Sequence, residues 1–306
     1  MKAVRIHEYG NADKLRIEET PNLKPGNDQV LVKVRAAGVN PIDWKIRAGY
    51  MKQRMPVQFP LTMGQDFAGE VVERGKQVRE FNTGQRVFGF AQGTYSEYAV
   101  APVSTIAAIP DSLSFEVAAA LPTAGLTALQ IIRDYVNAQP GMTILIHGAA
   151  GGVGSFATQI AKARGAKVIG TATGAEDIQY LKSIGTDQII DFKQERFEEK
   201  VHDVDAVVDL VGGDTQKRSF AVLKKGSIII STVQPVDESA AKQAGVRGQL
   251  IVMQRNASDL RELASLVEKG AVKPRLGRTL PFTEAKEAQE ISEHGGSNGK
   301  LILKVA

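Results

Sequence analysis

Two stretches carry residues whose types and spacing could do chemistry. Residues 147–154, HGAAGGVG, follow the apolar run TILI and precede Val153, Phe156, Ala157, Ile160 and Ala161 at helical spacing, so the glycines fall at a strand-to-helix turn. Such a turn presents helix N–H groups and the positive end of the helix dipole to an anion. Gly151 would let the backbone approach a pyrophosphate, and Gly154 would let the helix lie close to the sheet. Ala150, Gly151, Gly152, Val153 and Gly154 are therefore candidate dinucleotide contacts. In G-x-G-x-x-G register the first glycine is Ala149, and the bland reading is a tight turn in an empty domain. The second stretch, NPIDWKIRAGY at 40–50, offers an amide at Asn40, an ammonium at Lys45 and a phenol at Tyr50. Donors of these kinds can stabilise negative charge developing on a carbonyl oxygen, each contributing on the order of a hundredfold in rate.

The elements that must position these residues divide the chain by texture. Up to about residue 121, short strand-like runs (VLVKVRAAGV, GEVVERG, QRVFGF, YSEYAV) are punctuated by Gly and Pro, as in a compact, mostly β domain. From 122 the apolar runs TILIHG, KVIGTA, QIIDF, DAVVDLVG, SIIIST and QLIVM recur every twenty to thirty residues between helix-like segments. That rhythm is the βαβ pattern of a doubly wound parallel sheet, and six such strands weigh against an empty turn at 147–154. Two helical stretches then precede GKLILKVA, whose strand character matches the first domain. The fold class is α/β, with residues 1–121 and 257–306 as one domain and 122–256 as the dinucleotide-binding domain.

In such a sheet the ligand lies beyond the carboxyl ends of the strands, here Thr171, Ala172, Thr173 and Gly174; Leu210, Val211 and Gly212; and Ser231, Thr232 and Val233. An NAD site usually ends its second strand in Asp or Glu for the ribose 2′-hydroxyl. KVIGTATGAED instead ends in a small hydroxylic loop, which favours NADPH over NADH, although Glu176 and Asp177 lie close and no Arg or Lys completes a phosphate site.

Composition excludes other classes. The 306 residues include no cysteine, so disulfides, thiolate catalysis and Cys-based zinc sites are absent. His7, His147, His202 and His294 share no ligand spacing, and His147 reads as a packed core histidine. The net charge of +4 is spread along the chain, which gives little reason to expect nucleic acid. No apolar run is long enough to span a bilayer and no secretory signal is visible, so cytoplasmic localisation is the expectation.

Taken together, AAGGVG after a strand, LPTAGLTAL at 121–129 and GVNPID at 38–43 resemble the zinc-independent quinone oxidoreductase and enone (alkenal) reductase branch of the medium-chain dehydrogenase/reductase superfamily. The likeness runs from KAVRIHEYG to GKLILKV. It implies a GroES-like catalytic domain, completed by the C-terminal tail, around a Rossmann domain, with the active site in the cleft between them, and a homodimer. It also implies that Asn40, Gln65 and Thr123 stand where zinc-dependent members carry ligands, and that Ile42 replaces their relay hydroxyl. Without Lewis-acid help, the acceptor must already be electrophilic, a quinone or an α,β-unsaturated carbonyl.

The N-P-x-D-x-K form is similar to that of the enone reductases and makes Lys45 the leading enolate stabiliser. Tyr50 is a second donor or proton source, with solvent or the cofactor ribose as alternatives. The resemblance further implies that Thr127 lies near the nicotinamide and Lys300 in the tail over the cleft, both as cofactor contacts. Asp177 and Phe192 stand where close relatives often carry a lysine and a tyrosine for the 2′-phosphate. Against these readings, Lys45 and Arg47 read equally well as solvated charges on a short helix, Asp43 and Asp66 as buried structural carboxylates, and Trp44 and Phe90 as core. An enoyl-thioester reductase is the alternative enzyme. A dinucleotide-binding protein with a structural or RNA-binding role is the alternative of another class.

Overall fold

The computed structural model describes residues 1–305. In chain order the strands are β1 Lys2–Ile6, β2 Arg16–Glu19, β3 Gln29–Val39, β4 Leu61–Thr62, β5 Asp66–Arg74, β6 Arg86–Phe90, β7 Tyr98–Pro102 and β8 Ile106–Ala108. Then come β9 Thr143–His147, β10 Lys167–Ala172, β11 Gln188–Asp191, β12 Val204–Asp209, β13 Leu223–Ser231 and β14 Arg247–Leu250, and finally β15 Leu276–Pro281 and β16 Lys300–Lys304. The helices are α1 Pro41–Arg47, α2 Phe115–Ala119, α3 Pro122–Gln130, α4 Gly152–Ala163, α5 Ala175–Ser183, α6 Gly213–Ser219, α7 Glu238–Ala244, α8 Ala257–Glu268 and α9 Ala285–His294. The chain forms two compact units, one of residues 1–124, 255–269 and 274–306, the other of 125–254 and 270–273.

The first unit is built on β3, where Val30, Val32 and Val34 alternate inward with period two and join Phe67, Val71 and Val87 in one core. Its larger sheet runs β15-β16-β3-β5-β6-β8, with β7 also paired to β3, and a smaller one runs β2-β1-β4. The late strand β16 returns antiparallel to β3, pairing Leu301 with Val39 and Ile302 with Gly38, as the apolar LIL run required. The YSEYAV run becomes strand only from Tyr98, because Tyr95 turns into the core and Ser96 makes a lone bridge to Ala3. The sequence pattern missed β15, whose residues Leu276, Arg278 and Thr279 are exposed and carry no inward alternation.

All six runs of the second unit are strands, although β14 stops at Leu250, short of Val252, which is 76% exposed. Their order is β11-β10-β9-β12-β13-β14, all parallel, which is the doubly wound Rossmann arrangement. The register places His147, Asp209 and Ser231 in one rank across β9, β12 and β13, so the carboxyl ends of these strands finish level. That is where such a sheet presents a ligand site.

Candidate active site

At the corner after β9, Gly148 adopts φ +69°, a left-handed conformation that glycine enters without steric cost. The chain turns back so closely that a Cβ on Gly154 would lie 2.2 Å from the Gly148 carbonyl oxygen. Ala149 is tolerated in place of the usual first glycine because it faces Gly170 on β10, where an added Cβ would come within 2.9 Å of the Ala149 methyl. Gly151 is the N-cap of α4 and, having no side chain, offers no cap to the first-turn N–H groups. Gly151 and Gly152 are exposed and Val153 is half-buried, while Ala150 and Gly154 are buried. An uncapped helix start behind solvent-facing glycines fits a pyrophosphate.

The neighbouring strand ends are held by buried polar bonds. Asp209 accepts from Val211 N (3.1 Å) and Gly212 N (2.7 Å) with one oxygen, and from Gln216 Nε2 (2.9 Å) and Ser231 Oγ (3.0 Å) with the other. Gln234 donates to Gln216 Oε1 and accepts from Gly213 N, so the loops after β12 and β13 are tied together. His147 contacts Thr171 Oγ1 at 3.2 Å and Ser219 Oγ at 2.9 Å. Burial lowers its pKa to about 4, so it is a neutral core histidine. Thr171 and Ser231 thus spend their hydroxyls inward, and Ala172, Gly212 and Thr127 are buried too. Gly174, Val211 and Val233 are exposed, and Thr173, Leu210 and Thr232 half-buried.

In the first unit, Pro41 starts α1 and the Asp43 carboxylate accepts the Asn40 N–H at 2.8 Å, closing the helix start from the third position. Tyr95 donates to the same Asp43 oxygen at 2.8 Å, while Oδ1 is buried without a partner. Burial raises the Asp43 pKa to about 7, against the lowering pull of those two donors. The buried Lys300 donates to Val39 O (3.1 Å) and to Asn40 Oδ1 (2.5 Å), and burial pushes its pKa below the ordinary lysine value. That bond fixes the Asn40 amide, whose Nδ2 is buried with no hydrogen-bond partner. Asp66 accepts from Thr123 N (3.0 Å) and Thr123 Oγ1 (2.6 Å). Asp43 and Asp66 are therefore the buried, hydrogen-bonded carboxylates of the structural reading.

Arg47 falls differently from the sequence reading. It is not a solvated charge: it is fully buried and donates to Gln289, Glu293 and the Gly10 carbonyl, bolting α1 to α9. Periodicity could not reveal this, because its side-chain partners Gln289 and Glu293 lie over 240 residues away in sequence. Lys300, a candidate cofactor contact, donates to Asn40 and Val39. Tyr50 is 74% exposed and meets the edge of Trp44 at 5.8 Å, and the Lys45 ammonium lies 5.7 Å from the Trp44 ring centre. Phe90 is buried beneath the guanidinium of Arg255, which also donates to Gln65 Oε1. So Asn40, Gln65 and Thr123 are each engaged by another side chain. Among the described residues no group of three or more His, Cys, Asp or Glu could hold a metal.

Sequence reasoning missed Asp209, Tyr95 and Arg255. An acid closing the apolar run DAVVD could have drawn notice to Asp209; nothing local marks Arg255.

A family model described as "Alcohol dehydrogenase GroES-like domain" matches residues 26–111, and one described as "Zinc-binding dehydrogenase" matches 184–303. With the two folds above, they define a member of the medium-chain dehydrogenase/reductase superfamily. The chain is 31% identical to a mouse quinone oxidoreductase (99% of this chain, 97% of the relative) and 34% identical to a tomato 2-methylene-furan-3-one reductase (99% and 79%). It superposes on the Escherichia coli quinone oxidoreductase complexed with NADPH with a TM-score of 0.92, at 30% identity over 100% of both chains. The protein belongs to the quinone oxidoreductase branch of that superfamily. Among the described residues no helix is long and apolar enough to cross a membrane.

Proposed function

We propose that this protein is an NADPH-dependent, zinc-independent oxidoreductase that reduces a quinone or an α,β-unsaturated carbonyl, acting on small molecules as a cytoplasmic homodimer without a nucleic-acid partner. In this reading residues 122–256 form the dinucleotide-binding domain, and 1–121 with 257–306 the catalytic one. The observation that carries it is the corner Gly148–Gly154, an uncapped helix start that only glycine at 154 allows to pack. The E. coli relative complexed with NADPH supports that cofactor, and the tomato relative's named substrate, an enone, supports the acceptor class.

When bound, the reduced nicotinamide supplies hydride. Gly151 to Gly154 and the exposed or half-buried residues of the loops 171–174, 210–212 and 231–233 hold the dinucleotide, with Asp209 keeping two of those loops rigid. On the acceptor side the Asn40 amide is the best-placed donor, being buried, unpartnered at Nδ2 and pinned at Oδ1. It stabilises the negative charge arriving on the acceptor's carbonyl oxygen without reorganising. Lys45 and Tyr50 are more exposed and serve as additional donors or as the proton source. A turnover screen with NADPH and NADH against a quinone, a short enone and an enoyl thioester tests the assignment. Oxidation of NADPH by the quinone or enone is expected; no oxidation with any acceptor would refute the enzyme, and a strong NADH preference would refute the cofactor choice.

A further inference from the structure

A cavity of about 1050 Å³ in the first unit is lined by strand ends and loops including Arg5, Gln58, Thr62, Phe90, Gln92 and Arg255. Not one Asp or Glu lines it. Arg5 is partly neutralised by Glu18 at 3.5 Å. Arg255 differs: its guanidinium lies 4.9 Å above the Phe90 ring and donates to the neutral Gln65. Among the described residues no carboxylate pairs with Arg255. An exposed guanidinium on an aromatic face, with no counter-ion, keeps donors free for an anion.

We propose that this cavity receives the part of the acceptor remote from its reacting carbonyl, and that Arg255 there selects acceptors carrying a carboxylate. The proposal rests on the oxidoreductase reading above and names the substrate class within it. The apolar walls at Leu23, Val57 and Leu61 accept the ring or chain of the acceptor. Gln58 and Gln92 offer neutral donors that bind a carbonyl without choosing charge. The charge preference therefore falls to Arg255, and a charge-assisted pair of this kind is worth about tenfold or more in affinity.

The test compares a naphthoquinone carboxylate with its methyl ester, as NADPH-dependent turnover and, separately, as binding by equilibrium dialysis. The wild type is expected to show a KM and a dissociation constant at least tenfold lower for the carboxylate. Arg255→Gln should remove that preference, raising the KM and the dissociation constant of the carboxylate to those of the ester, and Arg255→Lys should restore part of it. No carboxylate preference in the wild type, or an equal loss for acid and ester in Arg255→Gln, would overturn the proposal and leave Arg255 as packing on Phe90. If neither compound is reduced, the oxidoreductase reading fails. The dialysis still decides the pocket: a carboxylate preference lost in Arg255→Gln upholds its anion selectivity, and none refutes it.

Discussion

The two units bury polar clusters of similar make-up and treat them in opposite ways. In the second unit, the Asp209 carboxylate meets four donors, and His147 is held neutral between two hydroxyls. In the first, Asn40, Asp43, Asp66, Tyr95 and Lys300 are equally buried, yet Asn40 Nδ2, Asp43 Oδ1 and the nearby Trp44 Nε1 are left without partners. Buried polar atoms are nearly always satisfied, so the contrast is what the proposed function expects of a scaffold and a site. The second cluster spends every bond on fixing loops; the first leaves donors and an acceptor unpaired.

The hardest blow to this comparison would fall on Asp209. Asp209→Ala strands four donors, two of them main-chain, and is expected to cost about 3–5 kcal/mol in denaturant unfolding. A loss below about 1 kcal/mol would mean the cage is not what holds the loops.

Next in size is the pH response, which should run in opposite directions in the two clusters. Asp43 is raised from 3.8 to about 7, so between those values the folded state holds a proton that the unfolded state lacks, and stability falls as pH rises through that window. His147 is lowered from 6.5 to about 4, so the unfolded state binds the extra proton there and stability is lost as pH falls from 6.5. Each contribution is on the order of 3 kcal/mol at full extent. Urea unfolding between pH 4.5 and 7.5, with hydrogen exchange resolving the units, should show Asp43→Asn flattening the first slope and His147→Gln the second. Slopes of the same sign would break the contrast.

The smallest expected effect sharpens it most. Lys300→Met frees the Asn40 amide to rotate, and kcat is expected to fall about tenfold with NADPH affinity unchanged. Stability should fall by about 1–3 kcal/mol, since the buried Val39 carbonyl and Asn40 Oδ1 lose their donor. A tenfold loss of NADPH affinity at constant kcat would return Lys300 to the cofactor, where the family resemblance had put it.

Much of this was legible along the chain. Strand-to-helix periodicity located the corner at 147–154 and five of the six parallel strands nearly to their ends, because each βα unit buries a continuous local run. The return of GKLILKVA to the first sheet was legible from its strand pattern. The partnerships were not. Arg47 looked solvated until Gln289 and Glu293 came to meet it, and Lys300 could not be joined to Asn40 across 260 residues. The exposed strand β15 carried no inward alternation to read.

By itself, then, the sequence determined the class of chemistry: a glycine corner after a strand for a dinucleotide, and no cysteine from which to build a thiolate or a zinc site. Which side chains stand ready was decided only by the tertiary structure. A donor's availability depends on what else reaches it, and for Asn40, Asp43 and Arg255 the residues that bind, or fail to bind, their remaining atoms come from distant parts of the chain.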